Sequence, residues 1–274
     1  MTRILSATAL ALILSTTSGF AGGHLCWEGK TLTEGKLTIA TGNPAYYPWV
    51  MDDAPEAGKG FEAAVAWAVA AEMQVPAEDV VWVRAGFDES IQPGAKNFDF
   101  NLQQFSITAD RDKVVDFSAP YYSSAMAVLT TQAVIDAGAT ASLASLKGLK
   151  WGADANTTAV PMLTGLVAPD SDPLLYNDNT DVTAAMQAGQ IDAALFDLPT
   201  ALYLSAVVVE GGAILGQFPA DRTENPDQFG MLMEEGNPLK DCVDAAITAL
   251  KDSGKLAEIE SEWLAEATGV PVIK

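Results

Sequence analysis

One short stretch of the chain, from Asn97 to Arg111, combines residue types that can recognise a small carboxylate. β-branched and aromatic residues at its start predict a strand, a turn with Ser106 and Thr108 follows, and Arg111 begins a predicted helix. Arg111 can present a planar fork of two donors, and the two hydroxyl groups can add further donors. A surface arginine beside an ordinary capped helix is the alternative interpretation of so short a pattern.

The same stretch continues into Val114-Val-Asp-Phe-Ser-Ala-Pro-Tyr-Tyr122, and the whole run resembles a signature of amino-acid-binding proteins of bacterial ABC importers. The resemblance implies an α/β fold of the two-lobed periplasmic binding protein type. In that fold each lobe is a mixed sheet flanked by helices, and two chain segments cross between the lobes as a hinge. The ligand is expected in the crevice between the lobes, outside the strand ends.

Predicted strands and helices alternate along the chain, which independently indicates α/β architecture. The resemblance divides the mature chain into lobe one, residues 26–126 plus 231–274, and lobe two, residues 127–230. The segments 125–131 and 228–233 are then the two predicted crossings. The predicted strands cover residues 36–40, 80–83, 98–102, 125–131, 149–153, 191–196 and 228–233, and the predicted helices cover residues 60–72, 182–188, 199–206, 238–251 and 256–263 with one more from 158.

The N-terminus predicts export. Arg3 precedes an apolar run from Ile4 to Ile13, and small residues end at Ala21, which is typical of a cleaved secretory signal peptide over residues 1–21. A membrane anchor would need about 20 apolar residues. We therefore expect a soluble periplasmic protein.

Composition excludes several other classes of protein. A formal net charge of −21 disfavours nucleic acid and anionic lipid as partners, and 49% hydrophobic residues predict a packed globule. The two cysteines, Cys26 and Cys242, suit one disulfide in an oxidising compartment, with two unpaired thiols as the alternative. Without a Cys-x-x-Cys pair, and with His24 as the single histidine, we expect no metal and no cofactor.

The resemblance also implies ligand-binding positions in four further segments, besides Ser106 and Arg111. For the aromatic residues among them, a plain role in the core is the alternative. Asp192 is the alternative to Asp197 as the partner of the ligand's α-ammonium group. The implied positions are Asn43, Tyr46 and Trp49 in the loop after the first strand, Phe87 as an aromatic lid, Thr157 and Thr158 at a helix N-terminus, and Asp197 at the end of a strand.

The ligand's side chain is harder to predict. Asn43 stands where relatives that bind basic amino acids tend to carry an acid, which disfavours lysine or arginine. No arginine or lysine other than Arg111 falls on a matched position, which disfavours an acidic ligand too, although Arg84 and Lys59 lie close enough in sequence to keep it open. Gln103 and Gln104, beside the aromatic set, favour a neutral polar amino acid.

These features predict a monomeric solute-binding protein that captures an amino acid between its lobes and contacts a membrane ABC permease transiently. We expect no catalytic residues, and we expect the ligand to be the one bridge that closes the lobes. Two alternatives stay open. One is an enzyme of the dehydratase type on the same fold, with Glu62, Asp88 or Glu89 as acid or base. The other is a ligand-sensing partner of a membrane receptor.

Overall fold

A computed structural model describes residues 25–218, 227–264 and 269–274 of the chain. The predicted signal peptide, residues 1–21, and His24 lie outside these ranges. Within them the strands form two five-stranded sheets and one two-stranded ribbon. Both large sheets mix parallel and antiparallel neighbours, as predicted.

The strands follow the predicted order closely, with short strands added. Their bounds are β1 Leu37–Thr41, β2 Val80–Arg84, β3 Phe100–Asn101, β4 Val115–Phe117, β5 Tyr122–Ser124, β6 Met126–Thr131, β7 Trp151–Asp154, β8 Leu174–Tyr176, β9 Ala193–Asp197, β10 Gly212–Phe218, β11 Asp227–Phe229 and β12 Leu232–Glu234.

The helices include all those predicted, and two of them continue into a wider turn at their C-terminal ends. Their bounds are α1 Phe61–Glu72, α2 Phe87–Ser90, α3 Gln132–Asp136, α4 Leu143–Lys147, α5 Ala159–Met162, α6 Asn179–Gln187, α7 Leu198–Tyr203, α8 Lys240–Asp252 and α9 Lys255–Trp263. The wider turns are Leu163–Val167 after α5 and Leu204–Val208 after α7.

Lobe one is built on the sheet of order β2-β1-β3-β12-β4. Helices α1, α8 and α9 pack together on one face of this sheet, over buried residues such as Leu37, Ile39 and Phe100. A smaller cluster that includes Phe98, Phe105 and residues of β4 covers the other face. Every residue of strands β1 and β3 is therefore buried, and the sequence of β1 does not alternate between polar and apolar residues.

Lobe two is built on the sheet of order β10-β6-β9-β7-β8. Separate apolar clusters cover its two faces, one around Trp151 and Leu163 and the other around Val182 and Phe196. Strands β7 and β9 run parallel, so their carboxyl ends, Asp154 and Asp197, emerge at the same edge of the sheet. This edge faces lobe one.

The crossings between the lobes differ from the prediction. Strand β6 lies wholly in the second sheet, and the predicted strand 228–233 is two strands, β11 and β12, in different sheets. Strand β11 pairs with β5 as an antiparallel ribbon, with Asp227 opposite Ser124 and Phe229 opposite Tyr122. The two crossings are therefore hydrogen-bonded to each other.

The chain's C-terminal residues also differ from the prediction. Assigning all of 231–274 to lobe one is wrong for its last residues, because Ile273 is buried in a cluster of lobe two. Its amide donates to Gln217 of β10 at 3.0 Å, and Leu143 donates to the carbonyl of Lys274 at 2.9 Å. The chain thus crosses between the lobes a third time after α9.

Candidate functional site

A cavity of about 370 Å³ lies between the two lobes, lined by residues of both. Every residue predicted to contact a ligand lines it, although their roles as ligand contacts stay a prediction. They are Asn43, Tyr46, Trp49, Phe87, Gln103, Gln104, Ser106, Arg111, Thr157, Thr158 and Asp197.

Arg111 begins a short helical turn, as predicted, and its backbone N–H donates to the Thr108 hydroxyl at 3.2 Å. Its guanidinium donates to the carbonyl of Ser106 at 2.9 Å and, across the cleft, to the carbonyl of Asn156 at 2.8 Å. The group lies 5.3 Å from the centre of the Phe87 ring, within range of a cation–π contact. Within the described residues, two of its five N–H donors therefore have an acceptor, and the others can serve a ligand.

The Ser106 hydroxyl stands 3.3 Å from the Thr158 hydroxyl of lobe two. Ser106 also hydrogen-bonds to the carboxylate of Asp227, which lowers the pKa of Asp227 less than burial raises it. Asp227 begins the ribbon strand β11, so this strand places a carboxyl group near the Arg111 guanidinium. Burial lowers the pKa of Arg111, and the nearby charges of Asp227 and Asp154 oppose that shift.

Glu62 is a second charged residue of the cavity and is only 2% exposed. It lies in the first turn of α1, which begins after Gly60; that residue has φ 97° and no room for a Cβ against the Trp49 carbonyl. Its carboxylate accepts from the backbone N–H of Gln104 at 2.8 Å and also from the Tyr121 hydroxyl. Burial raises the pKa of Glu62 to about 7, although these hydrogen bonds oppose the shift.

Asp197 faces the cavity from the end of β9 and caps helix α7, accepting from the Thr200 N–H at 2.9 Å. Burial raises its pKa to about 7, and the charge of Asp227 adds to the shift. Asp192, the alternative, binds the Lys150 N–H at 2.9 Å and does not line the cavity. The structure thus brings Asp197, and not Asp192, to the cleft.

Asp154, at the end of β7, is an acidic residue of the cavity that the sequence analysis did not single out. It accepts from the Asn156 N–H at 3.1 Å. Its pKa is raised to about 6, mainly by burial and also by the charges of Asp88 and Asp178, while the Asn156 hydrogen bond and Arg111 oppose the shift. Asp88 and Asp178 are themselves exposed members of the lining.

Several residues predicted to contact the ligand use their polar groups in hydrogen bonds within the protein. Gln103 donates to the Ala85 carbonyl at 3.0 Å, and the side-chain amide of Gln104 donates to Glu62 at 2.5 Å. Trp49 is 1% exposed, in contact with the rings of Phe61, Tyr122 and Phe229. The glutamines therefore hold the cavity wall in place, and Trp49 is mainly a core residue.

The expectation that ligand alone bridges the lobes is wrong. The Trp49 indole N–H donates to the Thr200 hydroxyl at 2.8 Å, and the hydroxyls of Tyr46 and Thr180 lie 3.0 Å apart. The ring of Tyr47 stacks on that of Tyr203, with 4.8 Å between the centroids. These contacts, with those of Arg111 and Ser106, hold the lobes together over the cavity.

Cys26 and Cys242 are both free thiols in the structure, so the predicted disulfide is not formed there. The two are nevertheless neighbours. Burial and the hydrogen bond to Cys26 together raise the pKa of Cys242 to about 12, although Lys30 opposes the shift. The Lys30 ammonium lies 3.8 Å from the Cys242 sulfur. Oxidation of this pair stays a prediction.

No group of acidic, histidine or cysteine side chains suited to a metal ion occurs in the parts of the chain that the structure describes. In those same parts, no helix is long and apolar enough to span a membrane.

A cleft between two mixed α/β lobes, with a guanidinium in one wall and a buried carboxylate opposite, defines a two-lobed binding protein for small polar solutes. Residues 37–266 match the model of the bacterial extracellular solute-binding proteins, family 3. The chain belongs to this family.

Individual relatives agree with the assignment. The chain is 27% identical over 227 residues to the L-arginine-binding protein of Pseudomonas aeruginosa, covering 80% of this chain and 84% of the relative. An ancestral arginine-binding protein bound to glutamine has a TM-score of 0.68 and 25% identity, over 84% of this chain and 98% of that one. AbpA from Streptococcus pneumoniae, bound to L-arginine, has a TM-score of 0.65 and 27% identity, over 83% and 94% of the two chains.

Proposed function

We propose that this protein captures an amino acid in the cleft between its lobes and delivers it to a membrane ABC permease. The observation that carries the proposal is that Arg111, on lobe one, and Asp197, on lobe two, line the same cavity. A guanidinium with unused donors suits an α-carboxylate, and a partly buried carboxylate suits an α-ammonium. Both ligand charges would then be paired, which is the condition for burying them at small cost.

The proposed headgroup contacts divide between the lobes. Ser106 and Arg111 belong to lobe one, while Thr158 and Asp197 belong to lobe two. A ligand that touches all four stabilises the closed arrangement by its differential affinity for that state. The direct lobe-to-lobe contacts of Trp49 and Tyr46 lower the free-energy difference that the ligand must supply.

We further propose that the chain is exported by its N-terminal 21 residues, acts in the periplasm as a monomer, and closes a Cys26–Cys242 disulfide there. The adjacency of the two thiols supports the last point. The family's extracellular setting supports the first two.

The sequence favoured a neutral polar ligand, whereas the relatives named above bind arginine and, in one case, glutamine. Those names leave the charge of this protein's ligand open. Calorimetry of periplasmic material against the twenty common amino acids tests the proposal. Saturable binding of at least one α-amino acid, lost when its α-carboxylate is amidated, is the expected result; no binding of any of them would overturn the proposal.

An enzyme on this fold is the second candidate, and one observation favours it. Glu62 and Asp197 both have a pKa of about 7, the value expected of a general acid or base near neutral pH. Conversion of a bound ligand, followed by mass spectrometry of the released small molecules, would support this candidate. Recovery of the unchanged ligand after long incubation supports binding alone.

A further inference from the structure

The charge of the cavity wall is strongly one-sided. Among the described residues that line it there is one cationic side chain, Arg111, and there are six carboxylates. The carboxylates are Glu62, Asp88, Asp154, Asp178, Asp197 and Asp227. If all are ionised, the wall carries five more negative charges than positive ones.

The acidic side chains of this wall are held by hydrogen-bond donors and not by cationic side chains. Asp154, Asp178 and Asp197 each accept from a backbone N–H two or three residues further along the chain. Glu62 accepts from Gln104 and Tyr121. None of the six takes part in the ion pairs found among the described residues. Dipolar donors fix their orientation but leave the net charge unchanged.

Cations that could balance the wall are engaged elsewhere. Arg84, which sequence reasoning kept as a partner for an acidic ligand, pairs with Asp53 at 2.6 Å and donates to the Gly42 carbonyl at 2.9 Å. Lys59 is exposed and does not line the cavity. Arg111 already has the charges of Asp227 and Asp154 beside it.

Burial makes the imbalance matter. Asp88 and Asp178 are exposed, so solvent screens them. Glu62 and Asp154 are 2% and 8% exposed, and Asp197 and Asp227 are partly buried. Four poorly solvated carboxylates therefore face one guanidinium. A zwitterion would leave this excess uncompensated, because it brings as much negative charge as positive.

We propose that the ligand of this cleft is net cationic, with a second ammonium or guanidinium group besides the α-ammonium, and that Asp154 is a partner of that second cation. This inference rests on the proposed function and names its ligand class. Asp154 lies at the same sheet edge as Asp197, and Asp88 and Asp178 add negative charge around it. An amino acid with a basic side chain fits this wall, and a diamine without a carboxylate shares the same chemistry.

Position 43 has an asparagine where relatives that bind basic amino acids tend to have an acid, but this does not argue against a cationic ligand. Asn43 lines the cavity and is exposed. Asp154 at the end of β7, Asp178 just before helix α6 and Asp227 of the ribbon supply negative charge instead, and all three are distant from Asn43 in sequence. Protons occupy part of this charge in the empty cleft, since the pKa values of Glu62, Asp154 and Asp197 are raised to about 7, 6 and 7. A cationic ligand would displace them.

The test compares pairs of amino acids of similar side-chain length, in which one member is cationic and the other is neutral. The pairs are L-arginine with L-citrulline, L-lysine with L-norleucine and L-ornithine with L-glutamine, measured by calorimetry on the full mature protein at pH 7.5. We expect the cationic member of at least one pair to bind ten times more tightly or better. A neutral member that binds as tightly as its cationic partner in every pair overturns the inference while leaving the proposed function intact.

Two further arms separate the sources of the signal. Agmatine, which is arginine without its carboxylate, keeps the cationic side chain and should still bind, but more weakly than arginine. If agmatine binds as tightly as arginine, the carboxylate contact of the proposed function is contradicted and the present inference is not. Asp154→Asn keeps an oxygen for the Asn156 N–H but removes the charge. It should reduce the arginine-to-citrulline preference at least fivefold, whereas Asp172→Asn, in an exposed loop, should leave it unchanged. An unchanged preference in Asp154→Asn would refute the role of Asp154.

Discussion

Two groups of residues in the cleft differ in how the chain builds them. The guanidinium group, Ser106, Arg111 and Thr158, depends on two local turns, each with its own short sequence pattern. The carboxylate group, Glu62 and Asp197, brings together residues from the first turn of α1 and from the end of β9, which are more than a hundred residues apart in sequence. Short turns present the hydroxyl and guanidinium donors, whereas the carboxylates owe their raised pKa to burial in the folded protein. The first group is a local property of the chain and the second depends on the tertiary fold.

Arg111→Ala should have the largest effect on binding. It removes donors to a ligand carboxylate and also the contact with the Asn156 carbonyl that joins the lobes. Two charge-assisted hydrogen bonds contribute about 1.5–3 kcal/mol each, so affinity for an α-amino acid should fall roughly 100-fold or more. Calorimetry measures this directly.

Arg111→Lys provides the control, because it keeps the charge and loses the planar fork. It should recover only part of the affinity. If Arg111→Ala binds nearly as well as wild type, the guanidinium group is not the headgroup site.

Asp197→Asn tests the other group. Asparagine can still cap α7 through the Thr200 N–H, so folding should survive while the charge opposite the α-ammonium is lost. Loss of one charge-assisted hydrogen bond predicts roughly 10-fold to 100-fold weaker binding. Asp192→Asn is the matched control, since Asp192 lies away from the cavity. Equal losses in both variants would mean a general weakening of lobe two rather than a ligand contact.

The comparison between the groups also explains what could be predicted from sequence. The motif around Ser106 and Arg111 and the strand-to-helix step at Asp197 are local, and the structure places all of them at the cavity. Asp154 and Asp227 went unnoticed because each ends or begins a strand in a way that no local pattern distinguishes from a solvated turn. Their importance comes from strand order, with β7 beside β9 and β11 beside β5. Strand order depends on contacts that are distant in sequence.

The crossings illustrate the same limit. Alternation of apolar residues predicted the strands β6 and β12 but not which sheet each one joins. The switch occurs at Gly230 and Met231, between two short strands. Packing of Ile273 into lobe two was also beyond reach, since one apolar residue near a chain end carries no periodicity.

The carboxylate group should make the ligand-free protein less stable at high pH. A carboxyl whose pKa is raised on folding binds more protons in the folded state, so stability falls as pH rises from its unfolded pKa to its folded one. For Glu62 that window runs from 4.5 to about 7. The tyrosine and glutamine that donate to Glu62, and the charge of Asp197, are the groups that face it. We expect the free energy of unfolding to decrease on the order of 2 kcal/mol between pH 5 and pH 8.

Chemical denaturation across that pH range gives the measurement. Glu62→Gln should flatten the dependence, because its amide carries no charge at any pH in the range. Glu56→Gln, in an exposed turn, serves as the matched control and should follow wild type. A wild-type protein more stable at pH 8 than at pH 5 would contradict the raised pKa of the whole carboxylate group.

The smallest expected effect concerns the contacts that hold the lobes together around both groups. Trp49→Phe keeps an aromatic ring against Phe61 and Phe229 but removes the N–H that donates to Thr200. One neutral hydrogen bond contributes about 0.5–1.5 kcal/mol to the stability of the closed arrangement. Its loss should shift the ligand-free protein towards the open arrangement and weaken binding by less than roughly tenfold. Small-angle scattering should then show a larger change in radius of gyration on ligand addition than wild type shows. Trp82→Phe is the control, because the Trp82 N–H is buried without a hydrogen-bond partner among the described residues. If the two variants behave alike, the Trp49 contact does not bias closure, and the remaining lobe-to-lobe contacts of Tyr46, Tyr47 and Arg111 are the ones to test next.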